Sequence, residues 1–193
     1  ITLKKPEAIL LLEDGSIFNG YSIGVKGLSV GEVVFNTSMT GYQEILTDPS
    51  YHSQIITFTN PHIGNTGVND EDIESVKIHA SGVILRDKEI LSNNWRQKAT
   101  LEELLKSENI IAISGIDTRK LTRILRTTGS QNGCIMSGEI DLEIAKKHLK
   151  DFDGLDGADL AKKVTSKSVY QCNDGLTNIY DSKKSSKKKK LFD

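Results

Sequence analysis

Two β-branched runs near the start of the chain, Glu32–Thr37 and Gln54–Thr59, flank a loop dense in Gly, Tyr, Gln, Asp, Pro and Ser. This is the feature that most limits the fold. Runs of this composition suit a pleated, half-buried surface and read as strands. Between them, GYQEILTDP forms at most a short helical turn, because Pro49 cannot continue a helix and disfavours it in the residue before. The loop offers many hydrogen-bonding groups and little apolar bulk, which suits a site better than a core.

The same reasoning extends along the chain. Ala8–Leu12 is an apolar run ended by Glu-Asp-Gly-Ser, and Ile17–Ile23 alternates, so the pair reads as a hairpin. Residues 60–70 carry Pro61, Gly64 and Gly67 and read as a loop, and Val76–Leu85 returns to strand character. Thr100-Leu-Glu-Glu103 has the spacing of a capping box, followed by a helix to Lys106 with Leu101, Leu104 and Leu105 on one face. Ile110–Ile113 is a buried strand candidate. Asp117 or Thr118 caps a helix to about Thr127, buried through Leu121, Ile124 and Leu125, and Gly129 stops it. Cys134–Met136 is a short strand and Leu142–Leu149 an amphipathic helix. The architecture expected is mixed α/β, strand-rich in its first half, with helices on one side. Residues 1–164 form the domain. Residues 165–193 are polar, place six lysines within Ser182–Lys190, and read as a flexible linker.

Composition narrows the function. The chain has 193 residues, a net charge of −1 and 37% hydrophobic residues, which fits a globular domain with no global field to select nucleic acid or an anionic membrane. The lysine run lacks interleaved aromatics on which bases could stack. There is no apolar run near the ~18 residues a membrane span needs, and ITLKKPEAIL does not read as a secretory signal. Cys134 and Cys172 lie far apart and form no CxxC pair, so free thiols in a cytoplasmic setting are expected.

Few motifs carry chemistry by themselves. Gly27-Leu-Ser-Val-Gly31 matches G-x-S-x-G, but that motif exposes a nucleophile where a strand turns into a helix, and here a strand follows. A glycine-rich turn is the simpler reading of Ser29. His52, His62, His79 and His148 show no zinc-ligand spacing, and His62 is either a loop histidine or the lining of a cleft. No phosphate-binding glycine motif is present. Cys134, among apolar neighbours, has no activating base in view and reads as core. Arg119, Arg123 and Arg126 stack along one helix face at i, i+4 and i+7. That row is either a solvated face or a surface that pairs carboxylates of a partner bidentately. In Asp48-Pro49-Ser50-Tyr51, Pro49 fixes its backbone and Ser50 presents a hydroxyl and an amide proton, groups suited to a small zwitterion. A plain turn is the other reading.

The run GEVVFNTSMTGYQEILTDPSYHSQIITFTNPHIGN (31–65), with LLEDGSIFNG (11–20) and GIDTRKLTRILRTTGSQNGCIMSG (115–138) in the same order, closely resembles the amino-terminal domain of the small, glutamine-hydrolysing subunit of carbamoyl-phosphate synthetase. The resemblance covers about residues 8–164. It implies a layered β/β/α, swivelling-type domain. It also implies membership of an enzyme that makes carbamoyl phosphate from glutamine, bicarbonate and two ATP, for arginine and pyrimidine synthesis. In that family the serine of the DPSY motif contacts glutamine held by a neighbouring glutaminase domain, a role that falls on Ser50, with Met39, Thr40, Gly41, Tyr42 and Gln43 shaping the region. The domain docks on the large subunit, where ATP and Mg are used, and this favours the partner reading of Arg119, Arg123 and Arg126. No cofactor and no catalytic residue is expected in this chain. Nothing here matches the family's class I amidotransferase domain, so this segment alone is expected not to hydrolyse glutamine. A stand-alone, non-catalytic interaction module is the alternative.

Overall fold

The computed structural model describes residues 7–87, 91–166 and 168. Its first hairpin shows how local chemistry sets the register. β1 (Glu7–Leu12) and β2 (Ile17–Ser22) pair antiparallel, with Leu10 opposite Phe18. The turn between them is closed by Ser16 N donating to Asp14 Oδ1 at 2.8 Å, and Gly15 takes a φ of 86° that favours glycine. β3 (Gly27–Asn36) follows, then α1 (Tyr42–Thr47), a one-turn 3-10 segment at Pro49–Tyr51, and β4 (Gln54–Phe58). Next come β5 (Gly82–Ile84), α2 (Leu101–Ser107), β6 (Ile111–Ser114) and α3 (Thr118–Thr128). β7 (Gln131–Ser137), α4 (Leu142–Lys150) and α5 (Leu160–Val164) complete the domain.

The architecture is mixed α/β, and the strands close into one barrel in the order β1-β2-β6-β5-β4-β3-β7. β3, β4, β5 and β6 run parallel to one another, while the β1–β2, β1–β7, β2–β6 and β3–β7 pairs are antiparallel. Closure buries one face of β1 and α4 buries the other, which explains its unbroken apolar run. Ala8, Leu10 and Leu12 face the interior with Phe18, Val33, Ile55, Ile84, Ile113 and Ile135. Ile9 and Leu11 face outward under α4, with Cys134 and Met136.

The helices are not gathered on one side, which corrects the sequence expectation. Leu121 and Leu125 of α3 join the interior cluster and plug the barrel. α1 and α2 cover the outer faces of β4 and β5 through Leu46, Leu101 and Leu105. α4 covers β1 and β7. A closed sheet has apolar residues on both faces, so one helical layer cannot bury them all.

Two further expectations change. Of Val76–Leu85, only Gly82–Ile84 is strand. The segment before it is held by α1 instead: Glu74 N donates to Thr47 Oγ1, Ser75 Oγ to the Thr47 carbonyl and His79 N to the Leu46 carbonyl. Backbone groups committed there are not free for a ladder. The Gly27–Gly31 stretch is strand, not turn, because β7 supplies it a partner from Ser137 back to Gly133. The capping box is present in full, and Asp117 and Gly129 bound α3 as expected. α5, capped by Asp159, has no counterpart in the sequence reading. The linker expected over 165–193 and Cys172 lie, apart from Thr165, Ser166 and Ser168, outside the described residues.

The closure leaves little room for change. At Gly24 an added Cβ would lie 2.0 Å from the Ile110 carbonyl oxygen, which already accepts a bond from Val25 N. Gly24→Ala is therefore expected to cost about 3 kcal/mol of stability, read by denaturant unfolding. Cys134 is fully buried, and burial pushes its thiol up to about 11. In the native chain its peptide is expected to resist iodoacetamide at about pH 8, where an ordinary cysteine is partly ionised, and to react on unfolding. Peptide mass spectrometry reads both states.

Candidate functional site

The connection from α1 to β4 is built almost entirely from its own backbone and short polar side chains. The Asp48 carboxylate accepts a hydrogen bond from Ser50 N at 2.8 Å, Tyr51 N donates to the Asp48 carbonyl at 3.1 Å, and His52 N to the Pro49 carbonyl at 3.1 Å. Pro49 opens this turn, where its missing N–H costs nothing. The Tyr51 hydroxyl accepts from Asn36 Nδ2 at 3.0 Å, which ties the turn to the end of β3. Asn36 Oδ1 also accepts from Ser38 N at 2.8 Å, and Asn60 Nδ2 donates to the Thr37 carbonyl at 2.6 Å. The turn and the 36–41 loop thus form one supported rim.

Ser50 is exposed on this rim. Its amide proton is taken by Asp48, which corrects the expectation that hydroxyl and amide are both offered; the hydroxyl alone is left for a ligand. Met39, in the 36–41 loop, is 78% exposed, while Tyr42 and Gln43 turn inward. The Tyr42 hydroxyl meets Thr66 Oγ1 at 2.8 Å and donates to the Gly67 carbonyl, and Gln43 exchanges two hydrogen bonds with the Asn69 backbone. They shape the region by holding the following loop. Burial raises the Tyr42 hydroxyl above its usual pKa and keeps it protonated.

The sequence reading missed a histidine pair behind the turn. The His52 and His79 rings meet edge to face with centroids 6.0 Å apart. Burial, the largest cause, pulls both below the usual histidine value; Lys163 and Lys77 add to it at His52, and Lys77 and His52 at His79. The rings are therefore neutral at pH 7. Spacing held no signal for this pair, because the contact forms only when residues 74–81 are laid on α1.

The other candidates separate cleanly. Arg119, Arg123 and Arg126 are exposed along α3, and among the described residues none has an ion-pair partner. No hydrogen bond or ion pair links that row to the Ser50 turn. Ser29 donates to the Ser81 carbonyl at 2.6 Å from within β3, a structural bond that leaves no nucleophile poised at a helix start. His62 is a loop histidine: its Nδ1 lies 2.9 Å from Asp87 Oδ2, and its backbone N donates to the same oxygen. Among the described residues, no three His, Cys, Asp or Glu side chains are placed to hold a metal ion, and no helix is long and apolar enough to cross a membrane.

Comparison with known proteins places this geometry in a family. The profile described as "Carbamoyl-phosphate synthase small chain, CPSase domain" matches residues 10–135. The carbamoyl phosphate synthase small chain of Vibrio parahaemolyticus is 60% identical over 169 residues, covering 87% of this chain and 45% of its own. That of Photobacterium profundum is 58% identical over 175 residues (90% and 46%), and that of Ralstonia nicotianae 57% over 168 (87% and 44%). The chain spans about half the length of the curated relatives it matches. The matched stretch runs from β1 into β7, so it takes in the barrel, the Ser50 turn and the arginine row. This chain belongs to the carbamoyl-phosphate synthase small-chain family, through its CPSase domain.

Proposed function

We propose that this chain is the amino-terminal half of the small subunit of a glutamine-dependent carbamoyl-phosphate synthetase, that it docks on the large subunit, and that it walls one side of a glutamine pocket with Ser50. The observation that carries the reading is the 60% identity to a carbamoyl phosphate synthase small chain over 87% of this chain. The geometry supports it: a rigid rim holds one exposed serine hydroxyl outward, with its backbone already satisfied. Glutamine would be hydrolysed by a class I amidotransferase half absent from this sequence, with residues 165–193 as the link to it. ATP and Mg would act on the large subunit. Ammonia would travel there by a protected route, since in bulk water it would protonate and cease to be a nucleophile. The whole enzyme would work in the cytoplasm. The family's β/β/α layering would correspond in the barrel to the parallel strands β3, β4, β5 and β6 as one layer and β1, β2 and β7 as the other.

The arginine row is the surface we assign to the large subunit. Three guanidinium groups with no carboxylate partner among the described residues keep their capacity for bidentate pairing. The same row serves the stand-alone module reading, so a partner is needed in either case.

Two outcomes are expected. In the assembled enzyme, Ser50→Ala raises the glutamine KM by about tenfold, the loss of one hydrogen bond to a charged ligand, while ammonia-dependent synthesis stays nearly unchanged. Glutamine kinetics identical to the parent would remove Ser50 from the pocket. Changing Arg119, Arg123 and Arg126 together to Glu abolishes binding to the large subunit in calorimetric titration; retained affinity would return the row to solvent.

A further inference from the structure

Trp95 is the chain's one tryptophan, and it is 90% exposed. Leu91 and Val76 are exposed to 92% and 94%, and Ile73 to 43%. Single exposed apolar residues need no explanation. These four come from two loops that are clamped together. Arg96 Nη2 reaches Asp72 Oδ1 at 2.8 Å and Glu71 Oε2 at 3.1 Å, and Lys98 pairs with Asp70. Asn93 N donates to the Asn65 carbonyl at 3.0 Å and Arg96 N to Asn94 Oδ1 at 2.9 Å. At Gly67 the loops touch so closely that an added Cβ would lie 2.3 Å from Gln97 Cγ. The backbone on both sides of Trp95 is thus fixed while the indole stands in water. A large aromatic presented from a rigid support loses little entropy on capture, the property of an interface anchor.

The clamp is continuous with the Ser50 rim. Asn69 Nδ2 donates to Asp72 at 2.8 Å, and Glu74 and Ser75 are held by Thr47, the residue before Asp48. Lys77, next to Val76, and Lys163 of α5 are both close enough to His52 to lower its pKa. Lys163 belongs to α5, the last helix among the described residues, so α5 lies on the side of the fold that carries His52, two residues along the chain from Ser50. The Vibrio parahaemolyticus relative is matched over 45% of its length, so most of that polypeptide lies outside the match.

We propose that Trp95, with Leu91, Ile73 and Val76, is the anchor onto which the carboxyl-terminal half of the small-chain polypeptide closes, so that the two halves meet over the Ser50 turn. The proposal rests on the small-chain reading above and adds the surface that holds the halves together.

Hydroxyl-radical footprinting with mass spectrometry tests it at residue level. Trp95 oxidation is followed in this chain alone, in this chain joined to the carboxyl-terminal half of the Vibrio parahaemolyticus small chain, and in the joined protein with that bacterium's large subunit. Oxidation several-fold slower on joining, with Leu142 and Ile144 on α4 unchanged, is the expected result. Protection that arrives only with the large subunit overturns the assigned occupant, and protection in neither state makes Trp95 a solvent residue. A second measurement uses emission: subtracting the spectrum of the Trp95→Phe variant from that of its parent isolates Trp95, once in this chain alone and once in the joined protein. A blue shift supports the anchor, and an unshifted spectrum overturns it. An unprotected Trp95 together with a raised glutamine KM for Ser50→Ala would sink the anchor and leave the pocket standing. An unchanged KM would strike the pocket reading itself.

Discussion

The structure depends on one strand serving two partners. β7 pairs with β1 on one side and with β3 on the other, so Cys134 stands level with both Leu11 and Val30. Without it the amino-terminal hairpin and the parallel strands would present open edges, and Leu10, Val33 and Ile55 would lose their common interior. The same strand sets the outer face that α4 covers. Its fit is close: a Cβ at Gly133 would lie 2.4 Å from Val33 Cγ2.

From that closure the site follows. β3 and β4 are parallel neighbours, so the chain must return the length of a strand between them. It does so through α1 and the Pro49 turn, which sits just before β4 with its backbone satisfied locally and the Tyr51 hydroxyl reaching Asn36. Rigidity at Ser50 is therefore a by-product of a crossover made with short polar residues. Thr47 extends the same economy: its hydroxyl and carbonyl hold Glu74 and Ser75, which brings the 69–76 loop and, through Arg96, the Trp95 loop to the same rim. Three loops far apart in sequence act there as one surface.

Much of this was legible from residues alone where the physics is local. The Asp-Gly turn, the capping box at Thr100, the Asp117 cap and Gly129 stop of α3, and the burial of Cys134 each depend on a few consecutive residues, and each is found. What misled was context. Gly27–Gly31 resembles a turn until a partner strand is supplied. Val76–Ser81 has strand composition, but His79 N is taken by the Leu46 carbonyl of α1, and Glu74 and Ser75 just before it are held by Thr47. His52 and His79 have no motif spacing, and Ser50 N looks available until Asp48 is seen to claim it.

The sequence by itself determined most of the elements from β1 to α4, the caps of α2 and α3, the family, and Ser50 and the arginine row as candidates, because each is carried by short-range chemistry or by a motif. The tertiary structure decided that the sheet closes, that helices must cover several faces, that Ser50 offers its hydroxyl alone, and that Trp95 stands on a braced loop. These are consequences of long-range pairing. Which face of a strand is buried, and which polar group is already satisfied, depends on neighbours brought together only when β7 completes the ring.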